Sequence, residues 1–122
     1  MSTNPRIATA DMETIRWATE RRDSATLAGI YADDATIQIV DRTHPPSRPL
    51  ELRGQEAISA YLTDIYGRDM THRIEHEVIG SHRLSFTQAC QYADGARVLA
   101  ATVLDLADGR IIRQVSVQAW DE

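Results

Sequence analysis

A change of hydrophobic period between residues 27 and 39 constrains this fold more than any other feature of the chain. Leu27, Ile30 and Tyr31 stand at i, i+3 and i+4 and line one face of a short helix. Past Ala32 the period becomes two, with Ala35, Ile37 and Ile39 alternating against Thr36, Gln38 and Val40. A helix that buries Ile30 and Tyr31 therefore runs directly into a strand. The Asp33-Asp34 pair is expected to turn the chain between them.

Two more helices and four long strands are predicted around that junction. Thr9 or Asp11 can cap a first helix through Arg22, with Met12, Ile15 and Ala18 spaced for burial and Trp17 beside them. Asp23 or Ser24 caps the second helix. Pro45, Pro46 and Pro49 make residues 41–50 a loop or edge segment, followed by a short strand at Leu50-Glu51-Leu52-Arg53. Gly54 opens a third helix with Ala57, Ile58, Tyr61, Leu62 and Ile65 on its apolar stripe, and Gly67 ends it. From Met70 onward the pattern is strand to the end: 71–79, 84–92, 96–106 and 111–120. The turn signals are Gly80-Ser81-His82, Asp94-Gly95 and Asp108-Gly109. Residues 1–8 read as a loose arm.

At 122 residues the chain suits one domain spanning 1–122. A net charge of −5 without a block of Lys or Arg argues against nucleic acid and against an anionic membrane surface. Cys90 is the single cysteine, so no internal disulfide is possible. No apolar run resembles a signal peptide or a membrane span, and a cytoplasmic location is expected. No glycine-rich phosphate loop follows a strand, so no nucleotide cofactor is expected.

The run Tyr31-Ala32-Asp33-Asp34-Ala35-Thr36-Ile37 after a short helix resembles the same junction in ketosteroid isomerases and SnoaL-like polyketide cyclases. The element order and the final strand, from Gly109 to Trp120, extend that resemblance over nearly the whole chain. It implies the nuclear transport factor 2-like superfamily: an α+β, cone-shaped, cystatin-like fold with three N-terminal helices on a curved antiparallel sheet around a small-molecule pocket.

Alternation gives each strand two faces without saying which is inside. On the last strand Gln114, Ser116 and Gln118 oppose Arg113, Val115, Val117 and Ala119; on the one before, Val98, Ala100, Thr102 and Leu104 oppose Leu99, Ala101 and Val103. The Gln-Ser-Gln face can meet water, or it can line a cavity. The resemblance implies the cavity. The face carrying Leu99, Ala101, Val103, Val115 and Val117 then needs a cover, for which a second subunit in a homodimer is expected.

Carried over by position, the isomerase base falls on Ile39, the oxyanion tyrosine on or near Ile15, and the oxyanion aspartate on or near Thr102. None of the three can perform its role, so ketosteroid isomerisation by that mechanism is not expected. His72 and His76 lie about 13 Å apart on a strand, too far for one metal ion with bonds of about 2 Å, and no metal is expected. The position of His72 resembles the catalytic histidine of scytalone dehydratase-like relatives, which makes it the candidate acid/base. Cys90 reads as a small buried hydrophobe. Trp17, Tyr31, Ile39, Phe86 and Trp120 are the expected pocket wall; Gln88, Thr102, Gln114, Ser116 and Gln118 are its expected polar contacts. Two functions stay open: a cofactor-independent isomerase, dehydratase or cyclase acting on a small, mostly apolar organic molecule, and a non-catalytic binding or association module.

Overall fold

A computed structural model describes residues 9–121; the expected arm at 1–8 lies outside them. Helix α1 (Met12–Glu20) starts where the Asp11 carboxylate accepts the Thr14 amide proton at 2.7 Å. Helix α2 (Ser24–Gly29) is capped in the same way by Asp23, which accepts from Thr26 N at 3.1 Å and from its hydroxyl at 2.7 Å. Those two bonds from Thr26 hold the Asp23 carboxyl below its ordinary value. Helix α3 (Gln55–Tyr66) begins after Gly54, whose φ of 86° suits glycine, and ends at Gly67.

The sheet has six strands: β1 (Tyr31–Val40), β2 (Leu50–Arg53), β3 (Met70–Ile79), β4 (Arg83–Tyr92), β5 (Arg97–Ala107) and β6 (Arg110–Trp120). Their order is β2-β1-β6-β5-β4-β3, and every neighbour pair is antiparallel except β1 with β6, which is parallel. That one pair departs from the antiparallel expectation, since β1 enters the sheet from a helix rather than a hairpin. Two further expectations are corrected. Helix α1 stops at Glu20, with Arg22 already at a positive φ of 58°. The strand begins at Tyr31, so Asp33-Asp34 is an irregularity inside β1, between the pairs Tyr31↔Ile111 and Thr36↔Arg113, not a turn. The Gln55 amide fixes this junction by donating to the carbonyls of Ala28 and Tyr31, each at 2.9 Å.

Cross-strand register stacks the concave face into rows about 7 Å apart. Ile37, Gln114, Leu104 and Leu84 form one; Ile39, Ser116, Thr102 and Phe86 the next. Gln118, Ala100, Gln88 and Ile74 follow, and then Trp120, Val98, Cys90 and His72. Helix α1 packs on β3, α3 on β1 and β2, and α2 on α3. The core fills the closed end, where Ile30, Ile37, Ile39, Ile58, Leu104 and Ile111 are wholly buried. Among the described residues, no helix is long and apolar enough to cross a membrane.

Candidate functional site

Between the helices and the concave face lies a cavity of about 380 Å³. Its apolar walls include Ile15, Leu27, Ile30, Ile39, Leu62, Phe86, Val98, Leu104 and Ile111. The closed end is the Gln114 row, and the opening lies beyond the Trp120 row, where Asp64, Arg68, Tyr92 and His44 reach the surface.

Of the residues singled out in the sequence, Tyr31, Ile39, His72, Phe86, Gln88, Thr102, Gln114, Ser116, Gln118 and Trp120 all line this cavity. Trp17 does not. It is 49% exposed on the outer side of α1, with the Arg21 guanidinium 5.0 Å from its ring centroid. Ile15, Ala18 and Thr19 take the inward face of that helix, and Trp17 stands about 200° around from Ile15 at 100° per residue. His76 also leaves the inner face. A bulge between Glu75 and Val78, with His76 at φ 55°, turns its ring outward to Thr87 Oγ1 at 2.7 Å. Among the described residues, no group of three His, Cys, Asp or Glu is placed to hold a metal ion.

All four tyrosines of the chain meet at this cavity, three of them unforeseen. The Tyr31 hydroxyl donates to Gln114 Oε1. The other amide end of Gln114 donates to Ser116 Oγ at 3.0 Å, and the Ser116 and Thr102 hydroxyls pair at 2.9 Å. Tyr66 accepts from Gln88 Nε2 at 3.0 Å, Tyr61 is hydrogen-bonded to Gln118, and Tyr92 accepts from Arg68 Nη1 at 2.9 Å. Burial pushes the Tyr31 phenol far up, and pushes Tyr61 and Tyr66 up to about 12. They therefore stay protonated at any ordinary pH and act as hydrogen-bonding groups, not bases. On α3 the available sequence signal was spacing, with Tyr61 on the apolar stripe and Tyr66 one turn beyond its neighbour Leu62.

His72 is 6% exposed, and its ring meets Tyr66 at 4.7 Å between centroids, tilted by 55°. Gln88 Nε2 lies 3.1 Å from Nδ1 and Cys90 Sγ lies 3.2 Å from it. The amide nitrogen can only donate, so Nδ1 accepts, and the proton of the neutral ring is assigned to Nε2. Nε2 is buried and has no hydrogen-bond partner among the described residues. Burial, with the Arg22 charge adding to it, pulls the His72 pKa down to about 4. Burial pushes the Cys90 thiol up to about 11, the opposite of an activated nucleophile.

Charged groups stay at the rim. Asp41 accepts from Thr43 N at 2.9 Å, Thr43 Oγ1 at 3.1 Å, His44 N at 2.9 Å and His44 Nδ1 at 2.9 Å. Burial pushes its carboxyl up, but the bonds from His44 and Thr43 outweigh this and hold it below the usual carboxylate range. Asp64 pairs with Arg68 at 2.8 Å. Inside the rim the polar groups are amides, hydroxyls, one thiol and one neutral imidazole.

A model of the SnoaL-like domain matches residues 13–114. The chain belongs to the SnoaL-like family. The fold of this SnoaL-like protein recurs in solved structures. An NTF2-like protein of unknown function from Mesorhizobium loti superposes with a TM-score of 0.78 at 18% identity, over 88% of this chain and 87% of that one. A candidate ketosteroid isomerase from Kribbella flavida gives 0.72 at 14% identity, over 90% and 74%. A protein with a cystatin-like fold from Silicibacter pomeroyi gives 0.73 at 11% identity, over 93% and 77%. At these identities the likeness is one of fold. No curated protein matches the chain in sequence.

Proposed function

We propose that this SnoaL-like protein takes up one small, mostly apolar organic molecule in the cavity and works as a homodimer joined through the back of its sheet. The observation that carries the first part is the lining: about 380 Å³ of apolar wall interrupted by Tyr–Gln pairs, with every charged group at the rim. That volume lies within the range of about 300–1,000 Å³ common to small-molecule sites. Uptake is the better-supported reading because none of the interior groups with a shifted pKa is brought near neutrality. His72 lies at about 4, Cys90 at about 11, and Tyr61 and Tyr66 at about 12.

The second reading is cofactor-independent isomerisation, dehydration or cyclisation of the bound molecule, and one observation favours it. The Nε2–H of His72 is a buried donor left unspent beside the cavity. On this geometry His72 polarises a reacting oxygen instead of taking a proton, as a neutral imidazole does in an apolar site.

The test uses the uncharged fluorescent probe N-phenyl-1-naphthylamine. The wild-type protein is expected to bind it saturably, one per chain. Ala100→Phe, which fills the middle of the concave face, is expected to abolish binding with the circular dichroism spectrum unchanged. No saturable binding, or binding indifferent to Ala100→Phe in a folded variant, would overturn the uptake reading.

A further inference from the structure

The hydrogen-bonding groups at the rim bear on what the cavity holds. Asp41 takes four bonds within its own turn, all at Oδ1, and Asp64 takes Arg68 Nη2 at Oδ2, so each carboxylate is tied to a neighbour through one oxygen. Several donors there are unused. Arg68 spends one N–H on Tyr92 and one on Asp64, which leaves three of its five. The Tyr92 oxygen accepts from Arg68, and its own O–H has no acceptor among the described residues. Tyr92 stacks on Trp120 with centroids 6.0 Å apart and planes 29° apart, and the Arg42 guanidinium stands 4.1 Å from the Trp120 ring centroid. Arg42 has no carboxylate partner within 4.0 Å among the described residues. Two guanidinium groups thus flank a stacked aromatic pair at the mouth, and with the Tyr92 hydroxyl they set unused donors beside it.

We infer that the ligand is an amphipathic carboxylic acid: its apolar body lies along the cavity and its carboxylate stays at the rim against Arg68 and the Tyr92 hydroxyl. This rests on the uptake reading above and deepens it. The orientation follows from the lining, because a carboxylate placed deeper would meet Phe86, Leu104 and Ile111 without a cation to pair with. At the rim it keeps its water and gains charge-assisted bonds, to which the planar guanidinium fork is suited. Asp64 and the carbonyl end of α3 oppose an anion here; Arg68 pairs with Asp64 and offsets its charge, and Arg42 adds a second positive charge. Since the Arg68 side chain is 40% exposed, the preference for an acid is expected to be modest and salt-dependent.

The experiment compares 1-naphthaleneacetate with its methyl ester as competitors of N-phenyl-1-naphthylamine at pH 7, at low and high salt. The acid is expected to bind the wild type about tenfold more tightly than the ester, a margin of about 1.4 kcal/mol, and to lose most of that margin in high salt. Arg68→Gln is expected to erase the margin while ester binding stays within about twofold. Arg42→Gln, which leaves the Arg68 contacts in place, is expected to reduce it by a smaller factor. An ester that binds as well as the acid, a probe that neither compound displaces, or a margin unchanged in a folded Arg68→Gln variant each overturns this inference with the uptake reading intact. Failure of the probe itself to bind overturns both.

Discussion

His72 shows how one residue's chemistry depends on neighbours that sequence spacing does not reveal. Its place at the start of a strand and its inward face were readable from alternation with Ile74. Its partners were not, because Gln88 and Cys90 come from β4, Tyr66 from the end of α3, and Arg22 from beyond α1. Together they bury it as a neutral imidazole, with Nε2–H assigned as the free donor. This has a consequence for stability. The folded-state pKa of about 4 lies below the ordinary 6.5, so the unfolded chain binds the proton more readily. The stabilisation from a neutral His72 is therefore complete above pH 6.5 and is lost as pH falls toward 4. The difference corresponds to about 3 kcal/mol. Chemical denaturation from pH 7.5 to 4.5, which spans most but not all of that window, is expected to lose about 2.5 kcal/mol more stability in wild type than in His72→Leu. An imidazole resonance from His72 that titrates near 6.5 would contradict the assignment.

At the scale of elements, the strands, helices and turns of the second half were largely legible, since alternation and the Asp-Gly turns are local signals. The exceptions are places where long-range contacts decide. Asp33-Asp34 looks like a turn, yet parallel pairing of β1 with β6 carries the strand through it, with the Ile111 amide donating to Ile30 O at 2.8 Å. Trp17 looks like pocket wall, yet a nine-residue helix laid on β3 buries Ile15, Ala18 and Thr19 and leaves Trp17 outside. The same helix explains how the edge of the sheet is closed. β3 is the last strand, and its Ile74 amide points away from β4; Glu20, the final residue of α1, accepts that proton at 3.0 Å. Arg16 adds an ion pair to Glu77 within the bulge. Edge strands with free amides invite pairing with other chains, and here a helix covers the edge. Glu20→Ala is expected to lower unfolding stability by about 1–3 kcal/mol, the usual cost of stranding a partly buried amide, with Glu20→Gln in between. Equal stability of Glu20→Ala and wild type in urea titration would show that water replaces the carboxylate without loss.

On the scale of the whole molecule, the two faces of the sheet have opposite needs. The concave face is covered by the helices and holds the cavity. The convex face has no cover among the described residues, and register gathers its apolar residues into a band: Val103 beside Val115, Ala101 beside Val117, and Leu99 beside Ala119. Leu99 and Val117 are 51% exposed, Val103 is 40% exposed, and Val78 extends the band across β4 at 63%. Charge closes the band at one end, where Arg53, Thr36, Arg113, Asp105 and Arg83 run across five strands, with Arg83 bonded to Asp105 at 2.6 Å. An apolar centre with a charged border is the anatomy of a protein interface, and in the proposed homodimer a second copy would meet it with a matching surface by two-fold symmetry. Val117 lies near the middle of the band and away from the cavity, so Val117→Asp tests the interface without touching the pocket. Burying two aspartates against each other costs several kcal/mol, because each loses water and gains a like charge. Wild type is expected to sediment as a dimer at micromolar concentration, and Val117→Asp as a folded monomer that still binds N-phenyl-1-naphthylamine. A wild-type monomer at high concentration, or a dimer indifferent to Val117→Asp, would place the partner of this face elsewhere.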